Sequence, residues 1–226
     1  MGLPNVYIYG AQKCATTSLH NWFASLPETS TSNPKEPEHF TQGNCKQYEK
    51  CFTNTNLITV ESTPSGYSQQ APKRLHDSNP DCKIIYIVRN PVDRFLSAYA
   101  MYGSRVNEHG IEWRIRWEID NLPTLNEEND TTGLIRRGIY INVIESLRQY
   151  FSDEQLHIVS FDELINDSSN TLKSIAEFVG IESINTTLGH INKSRRKGIA
   201  VNEMLSDFYE PYNKQLFDYC GKKMYQ

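Results

Sequence analysis

A short apolar strand that passes through a turn of small residues into a helix constrains this chain more than any other feature: Val6-Tyr7-Ile8-Tyr9-Gly10, then Ala11-Gln12-Lys13-Cys14-Ala15-Thr16-Thr17-Ser18-Leu19. The backbone N–H groups from about Ala15 to Ser18 open a helix and have no partner inside it, and the helix dipole adds roughly half a positive charge there. Such a place suits an anion, above all a phosphate. Lys13 supplies the full charge that the backbone lacks. Beyond it Leu19, Trp22, Phe23 and Leu26 fall on one helical face, which ends before Pro27.

The rest of the chain repeats the alternation. Residues 29–56 are polar and broken by Pro34, Pro37 and Gly43, which predicts an irregular surface excursion. Residues 57–61 read as a second strand and 81–88 include a third, with Val92, Phe95, Leu96 and Tyr99 on one face of the helix that follows. A weaker pattern over 103–132 predicts a helix and a loop, and 134–151 an amphipathic helix. A strand at 156–160, a helix at 171–179 stopped by Gly180, and a last helix over 201–216 complete the reading. Together these predict an α/β fold, a mostly parallel central sheet flanked by helices, with ligands at the carboxyl ends of the strands.

A length of 226 residues suits a single domain spanning 1–226. The net charge of −4 speaks against a general nucleic-acid binder, although Lys193, Arg195, Arg196 and Lys197 make a basic cluster. The N-terminus shows no charged leader followed by an apolar run, so no signal peptide or membrane span is expected. That predicts a cytoplasmic protein; a Golgi or secreted origin requires this chain to be part of a longer one. Five cysteines without a C-x-x-C pair predict free thiols and no metal site.

A nucleotide triphosphatase has a similar strand, turn and helix, spelled G-x-x-x-x-G-K-[ST]. Here the lysine precedes the small residue and the hydroxyl run. The third strand, moreover, ends in Arg89 rather than in a metal-binding Asp. A nucleotide held by Lys and Arg, with no acidic metal ligand at a strand end, predicts chemistry without magnesium. Arg89 at the end of a buried strand needs an anion, and its planar fork of donors matches a phosphate. Arg94, further on, reads as a structural ion-pair partner.

The stretch from Gly10 to Leu19 resembles the 5′-phosphosulfate loop of sulfotransferases that use 3′-phosphoadenosine 5′-phosphosulfate (PAPS). Arg89-Asn90-Pro91-Val92-Asp93-Arg94-Phe95-Leu96-Ser97 resembles the family's 3′-phosphate motif. Lys35-Glu36-Pro37-Glu38-His39-Phe40 resembles the segment that carries the catalytic acid or base in the glycosaminoglycan-modifying branch. Asn192-Lys193-Ser194-Arg195-Arg196 resembles the loop that closes over the cofactor. The resemblance implies that Lys13, Cys14, Ala15, Thr16, Thr17 and Ser18 hold the 5′ end of the donor, Arg89 and Ser97 its 3′-phosphate, and Lys193, Ser194, Arg195 and Arg196 its outer side. Lys13 would also serve catalysis at the leaving oxygen. Glu36 is the candidate general base and His39 its competitor, since an imidazole already titrates near neutrality whereas a carboxylate must be desolvated or crowded.

Two departures stand out. Ala15 replaces the family's usual glycine, which is harmless if its backbone angle is ordinary. Glu61-Ser62-Thr63-Pro64 resembles an E-K-T-P segment of the heparan-sulfate 3-O branch, but Ser62 stands where that branch has a lysine. The implied activity is transfer of a sulfuryl group from PAPS to an acceptor hydroxyl, leaving 3′,5′-adenosine bisphosphate (PAP), with a saccharide as the expected acceptor and no metal. Alternatives are a small alcohol, phenol or lipid acceptor, a metal-dependent kinase or triphosphatase, and an inactive nucleotide-binding module.

Overall fold

The computed structural model describes residues 2–43, 47–66, 68–102, 109–122, 133–182, 188 and 199–226. Five parallel strands, β1 (Val6–Gly10), β2 (Thr29–Thr31), β3 (Ile58–Glu61), β4 (Lys83–Val88) and β5 (Leu156–Ser160), lie in the order β2-β3-β1-β4-β5. A parallel sheet is covered on both faces, which is why β1 and β4 read as near-continuous apolar runs. Tyr7, Tyr9 and Tyr86 share one face, their neighbouring rings 5.7 and 6.3 Å apart. The chain leaves β1 toward β2 and β3 on one side and returns to β4 and β5 on the other. That switch opens a crevice at the carboxyl end of β1, where such sheets bind ligands.

The helices are α1 (Thr16–Ala24), α2 (His39–Gln42), α3 (Ala71–Ser78), α4 (Pro91–Tyr102), α5 (Ile111–Asp120), α6 (Tyr140–Arg148), α7 (Phe161–Asn166), α8 (Ser168–Val179) and α9 (Ile199–Cys220). α8 stops at Gly180, whose φ of 90° is the left-handed cap that the sequence predicted. None of the described helices is long and apolar enough to cross a membrane.

Two expectations need correction. Residues 29–56 are not wholly irregular, since Thr29–Thr31 form the sheet's edge strand and α2 and a 3₁₀ turn at Tyr48–Cys51 follow. A three-residue edge strand is too short to show a period of two. The stretch 134–151 is likewise not one helix: a 3₁₀ turn at Arg136–Gly138 is separated from α6 by Ile139 at ψ 75°. The cause is tertiary. Tyr209 of α9 donates its hydroxyl proton to the Ile135 carbonyl at 2.8 Å and presses on Gly138, where a Cβ would meet that hydroxyl at 2.7 Å. Only glycine allows the approach. Around this turn Phe95, Leu96, Ile115, Leu134, Ile135, Leu205 and Tyr209 form a second apolar cluster beside the one on the sheet.

Candidate active site

The loop between β1 and α1 is bent by three residues of positive φ: Gly10 at 143°, Lys13 at 72° and Ala15 at 62°. Gly10 suits its place on two counts: its φ is one that side-chain-bearing residues rarely adopt, and a Cβ there would crowd the Tyr86 ring at 3.1 Å. The Ala15 angle is therefore not ordinary. A methyl group in the left-handed region costs about 1–2 kcal/mol, which is the physical reason for glycine at this position in the family the motif resembles. As the residue before α1, Ala15 offers no side-chain cap, and the first turn carries no acid, so the opening N–H groups of α1 face the crevice with no acceptor from a capping side chain.

Lys13 and Arg89 meet at this loop. The Arg89 Nη1 donates to the Lys13 carbonyl at 3.1 Å, its guanidinium lies 4.6 Å from the centre of the Phe161 ring, and the Tyr140 hydroxyl donates to the Arg89 carbonyl at 2.8 Å. Arg89 is thus fixed in three directions. Burial first, and the neighbouring Arg89 charge second, hold the Lys13 amine below its ordinary range. Two cations forced together in this way favour an anion between or above them. Among the described residues the Lys13 ammonium reaches only the Met101 sulfur, 3.4 Å away. Cys14 and Thr16 are buried, Thr17 is exposed and Ser18 is buried, while Ser97 is half-buried on α4 two helical turns past Arg89. Lys193, Ser194, Arg195 and Arg196 lie outside the described residues.

The Lys35–His39 segment approaches from the β3 side. Lys35 pairs with the Glu36 carboxylate and also reaches the Ser62 carbonyl at 3.4 Å. Ser62 in turn shares a 2.9 Å hydrogen bond with His20 Nδ1 on α1, and this chain of contacts ties the segment that bears Glu36 to the helix behind the loop. The Glu36 side chain is 46% exposed. The His39 ring lies flat on Tyr48, 4.2 Å between centroids and 11° between planes.

Several site residues escaped the sequence reading. Gln12 bridges the crevice wall: its amide donates to the Tyr102 hydroxyl at 2.9 Å and accepts from Arg137 Nη1 at 3.1 Å. Glu61 is the larger omission: the sequence places it at the end of a strand without giving that carboxylate a part in the site. That carboxylate is 0% exposed, and its two oxygens accept from the Tyr48 hydroxyl and from Thr63 Oγ1 at 2.6 Å. It faces its own hydroxyl partners and anchors the ring under His39. The signal was present, because a charged residue closing a buried strand was the same argument that singled out Arg89. No group of three or more His, Cys, Asp or Glu suited to a metal gathers among the described residues. Cys14, Cys51, Cys82 and Cys220 are free thiols, and Cys45 lies outside the described residues.

Burial drives Glu61 and His20 in opposite directions. Desolvation raises Glu61 to about 7 from its ordinary 4.5, and desolvation, followed by the charge on Lys35, lowers His20 to about 4 from 6.5. The folded chain therefore holds the Glu61 proton more tightly, so this term loses stability as pH rises from 4.5 to 7. For His20 the unfolded chain binds the proton more tightly, and stability is lost as pH falls from 6.5 to 4. Across the overlap the slopes oppose each other. Urea unfolding of Glu61→Gln is expected to rise with pH where the wild type is nearly flat, the removed term being about 3 kcal/mol in all, and His20→Asn to fall with pH. Unaltered profiles in both variants would contradict the assignment.

The pattern of the sulfotransferase domain family matches residues 3–220. Heparan sulfate glucosamine 3-O-sulfotransferase 6 of Mus musculus is 25% identical over 97% of this chain and 72% of its own length. Heparan sulfate glucosamine 3-O-sulfotransferase 3B1 of Homo sapiens is 29% identical over 97% of this chain and 64% of its own. Among solved structures, a sulfotransferase from Alicyclobacillus acidocaldarius superposes with a TM-score of 0.80 at 21% identity, covering 98% of this chain and 97% of that one. A mouse sulfotransferase, SULT7A1, complexed with PAP superposes at 0.53 with 20% identity, over 80% of this chain and 60% of that one. With its family pattern covering nearly its full length, and with lysine and arginine converging on an anion-ready loop in the matching fold, this chain belongs to the PAPS-dependent sulfotransferase family.

Proposed function

We propose that this chain transfers the sulfuryl group of PAPS to a hydroxyl of a carbohydrate. The observation that carries the reading is the contact of Arg89 with the Lys13 carbonyl, which ties the two anion seats into one crevice at the carboxyl end of the sheet. A donor with phosphate on both the 5′ and the 3′ oxygen of its ribose needs two such seats. The loop from Lys13 to Ser18 takes the 5′-phosphosulfate on its backbone N–H groups, and Arg89 with Ser97 takes the 3′-phosphate. Lys193, Ser194, Arg195 and Arg196 close the outer side.

The residues then divide the work. Glu36 takes the proton of the acceptor hydroxyl, whose oxygen forms the new bond to sulfur, and the bond from sulfur to the 5′-phosphate oxygen breaks. Negative charge grows on that leaving oxygen, where Lys13 meets it. Positioning and electrostatics carry most of such a transfer. The names of the curated relatives support a carbohydrate acceptor. Ser62 departs from the branch those names belong to; its hydroxyl bonds His20 and its carbonyl accepts from Lys35 at 3.4 Å.

Calorimetry without metal tests the donor. PAP is expected to bind clearly better than ADP, and Arg89→Ala to remove most of the difference. Equal affinity for both nucleotides would sink the reading.

A further inference from the structure

The surroundings of Arg89 lead to one short stretch of chain beyond α9. Met224, Tyr225 and Gln226 each meet a neighbour of that arginine. Ser160 Oγ, which caps α7 immediately before Phe161, donates to the Met224 carbonyl at 2.6 Å, and Phe161 is the residue whose ring faces the Arg89 guanidinium at 4.6 Å. Asn90 stands beside Arg89 in the chain and uses both ends of its amide. Its oxygen accepts from the Val92 N–H at 3.0 Å, capping α4, and its Nδ2 donates to the Gln226 main-chain oxygen at 2.8 Å. Between these two anchors the Tyr225 ring packs edge-on at 6.3 Å against Tyr140, whose hydroxyl holds the Arg89 carbonyl.

The stretch is firmly seated. Met224 and Tyr225 are buried, the Tyr225 ring also meets Phe217 at 5.1 Å, and its hydroxyl donates to Asn213 Oδ1 on α9 at 2.7 Å. Tyr225 is thus pinned to α9 at its tip and to Tyr140 along its ring. Ordering a stretch of chain costs conformational entropy, and the main-chain hydrogen bonds that offset it here fall on Ser160 at the end of β5 and on Asn90 just past β4, the two positions that flank the arginine's seat. Arginine is a long, rotamer-rich side chain, and its fork grips a phosphate bidentately only when the guanidinium plane is held in one orientation. Phe161 and the backbone at Arg89 set that plane, and the stretch beyond α9 fixes both.

We propose that Met224–Gln226 is a strap that positions Arg89 for the 3′-phosphate of the donor, and that Tyr225 is its positioning residue. The inference rests on the donor reading above. The strap acts through Tyr140, Asn90 and Ser160, so what it sets is the orientation of the arginine. The 5′ seat stands apart from it: the loop keeps its shape through the Ala11 N–H on the Ile87 carbonyl at 2.8 Å and the Cys14 N–H on the Ala11 carbonyl at 3.1 Å.

The test compares calorimetric affinities for PAP, which carries the 3′-phosphate, and for adenosine 5′-phosphate, which lacks it. They are measured in the wild type and in Tyr225→Ala, Tyr225→Phe and Asn90→Ser, each beside a melting curve so that binding is read on folded protein. Tyr225→Ala is expected to lose about tenfold in PAP affinity, the scale of one weakened hydrogen bond to a charged group, and to bind adenosine 5′-phosphate as before. Tyr225→Phe keeps the ring and should retain the wild-type ratio of the two affinities. Asn90→Ser keeps an oxygen able to cap α4 but loses the donor to Gln226, and should lower that ratio by about threefold. It carries the test alone if Tyr225→Ala does not fold. An unchanged ratio in either variant, equal losses for both nucleotides, or a Tyr225→Phe variant as impaired as Tyr225→Ala would make the strap a packing element and overturn the proposal. A wild type that binds the two nucleotides alike would instead bring down the donor reading on which it rests.

Discussion

Lys13→Ala is expected to lower kcat by about 10²–10³-fold while the protein folds as before. That magnitude is typical for removing one preorganised donor from the position where charge develops in a transition state. The fold should survive because Lys13 is not stabilised where it stands. Burial and the Arg89 charge hold its amine below the ordinary range, so its ammonium is a cost to the folded chain at neutral pH, and alanine relieves it. The loop geometry also remains, since the Lys13 carbonyl that accepts from Arg89 belongs to the backbone. PAP affinity should fall by less than kcat does, because the loop N–H groups and Arg89 still hold the phosphates. Steady-state kinetics with a saccharide acceptor, beside a melting curve, separate the two effects. A variant with near wild-type kcat would remove Lys13 from the chemistry.

The second large effect is expected at Glu36, where glutamine should reduce kcat by about 10²–10⁴-fold with PAP affinity unchanged. The substitution keeps size and loses only the capacity to take a proton. Glu36 is exposed and paired with Lys35, so nothing in the fold depends on its charge. His39→Gln is the control. Its ring is committed to the face of Tyr48, which Glu61 anchors from below, and this places His39 in the support of the segment. The expected loss for His39→Gln is therefore mainly in acceptor KM. If His39→Gln abolishes turnover and Glu36→Gln does not, the two roles are exchanged.

Parts of the site were legible because local chemistry dictated them. The β1 run, its turn of small residues and the helix behind it make an anion seat wherever they occur, and Arg89 closing a buried strand demanded a partner of opposite charge. Four strands and the alternation of strands with helices followed from apolar runs and periodicity. The edge strand at Thr29–Thr31 did not, being too short to show a pattern. Nor did the break at Ile139, which comes from a tyrosine seventy residues away pressing on Gly138. Ala15 was legible as a departure, but whether it mattered depended on a φ of 62° that only the folded loop displays.

By itself the sequence determined the fold class and singled out the Lys13 loop, Arg89 and the Lys35–His39 segment, because each rests on contacts between near neighbours or on burial along one strand. The tertiary structure alone decided that Arg89 meets the Lys13 loop, that Glu61 is sealed beneath the Tyr48 ring on which His39 stacks, and that Arg94 is buried with no acid paired to it among the described residues. The physical reason is that charge and desolvation act through space: what surrounds a lysine, a carboxylate or a guanidinium comes from residues far apart in the chain, and it exists only once the sheet has brought them together.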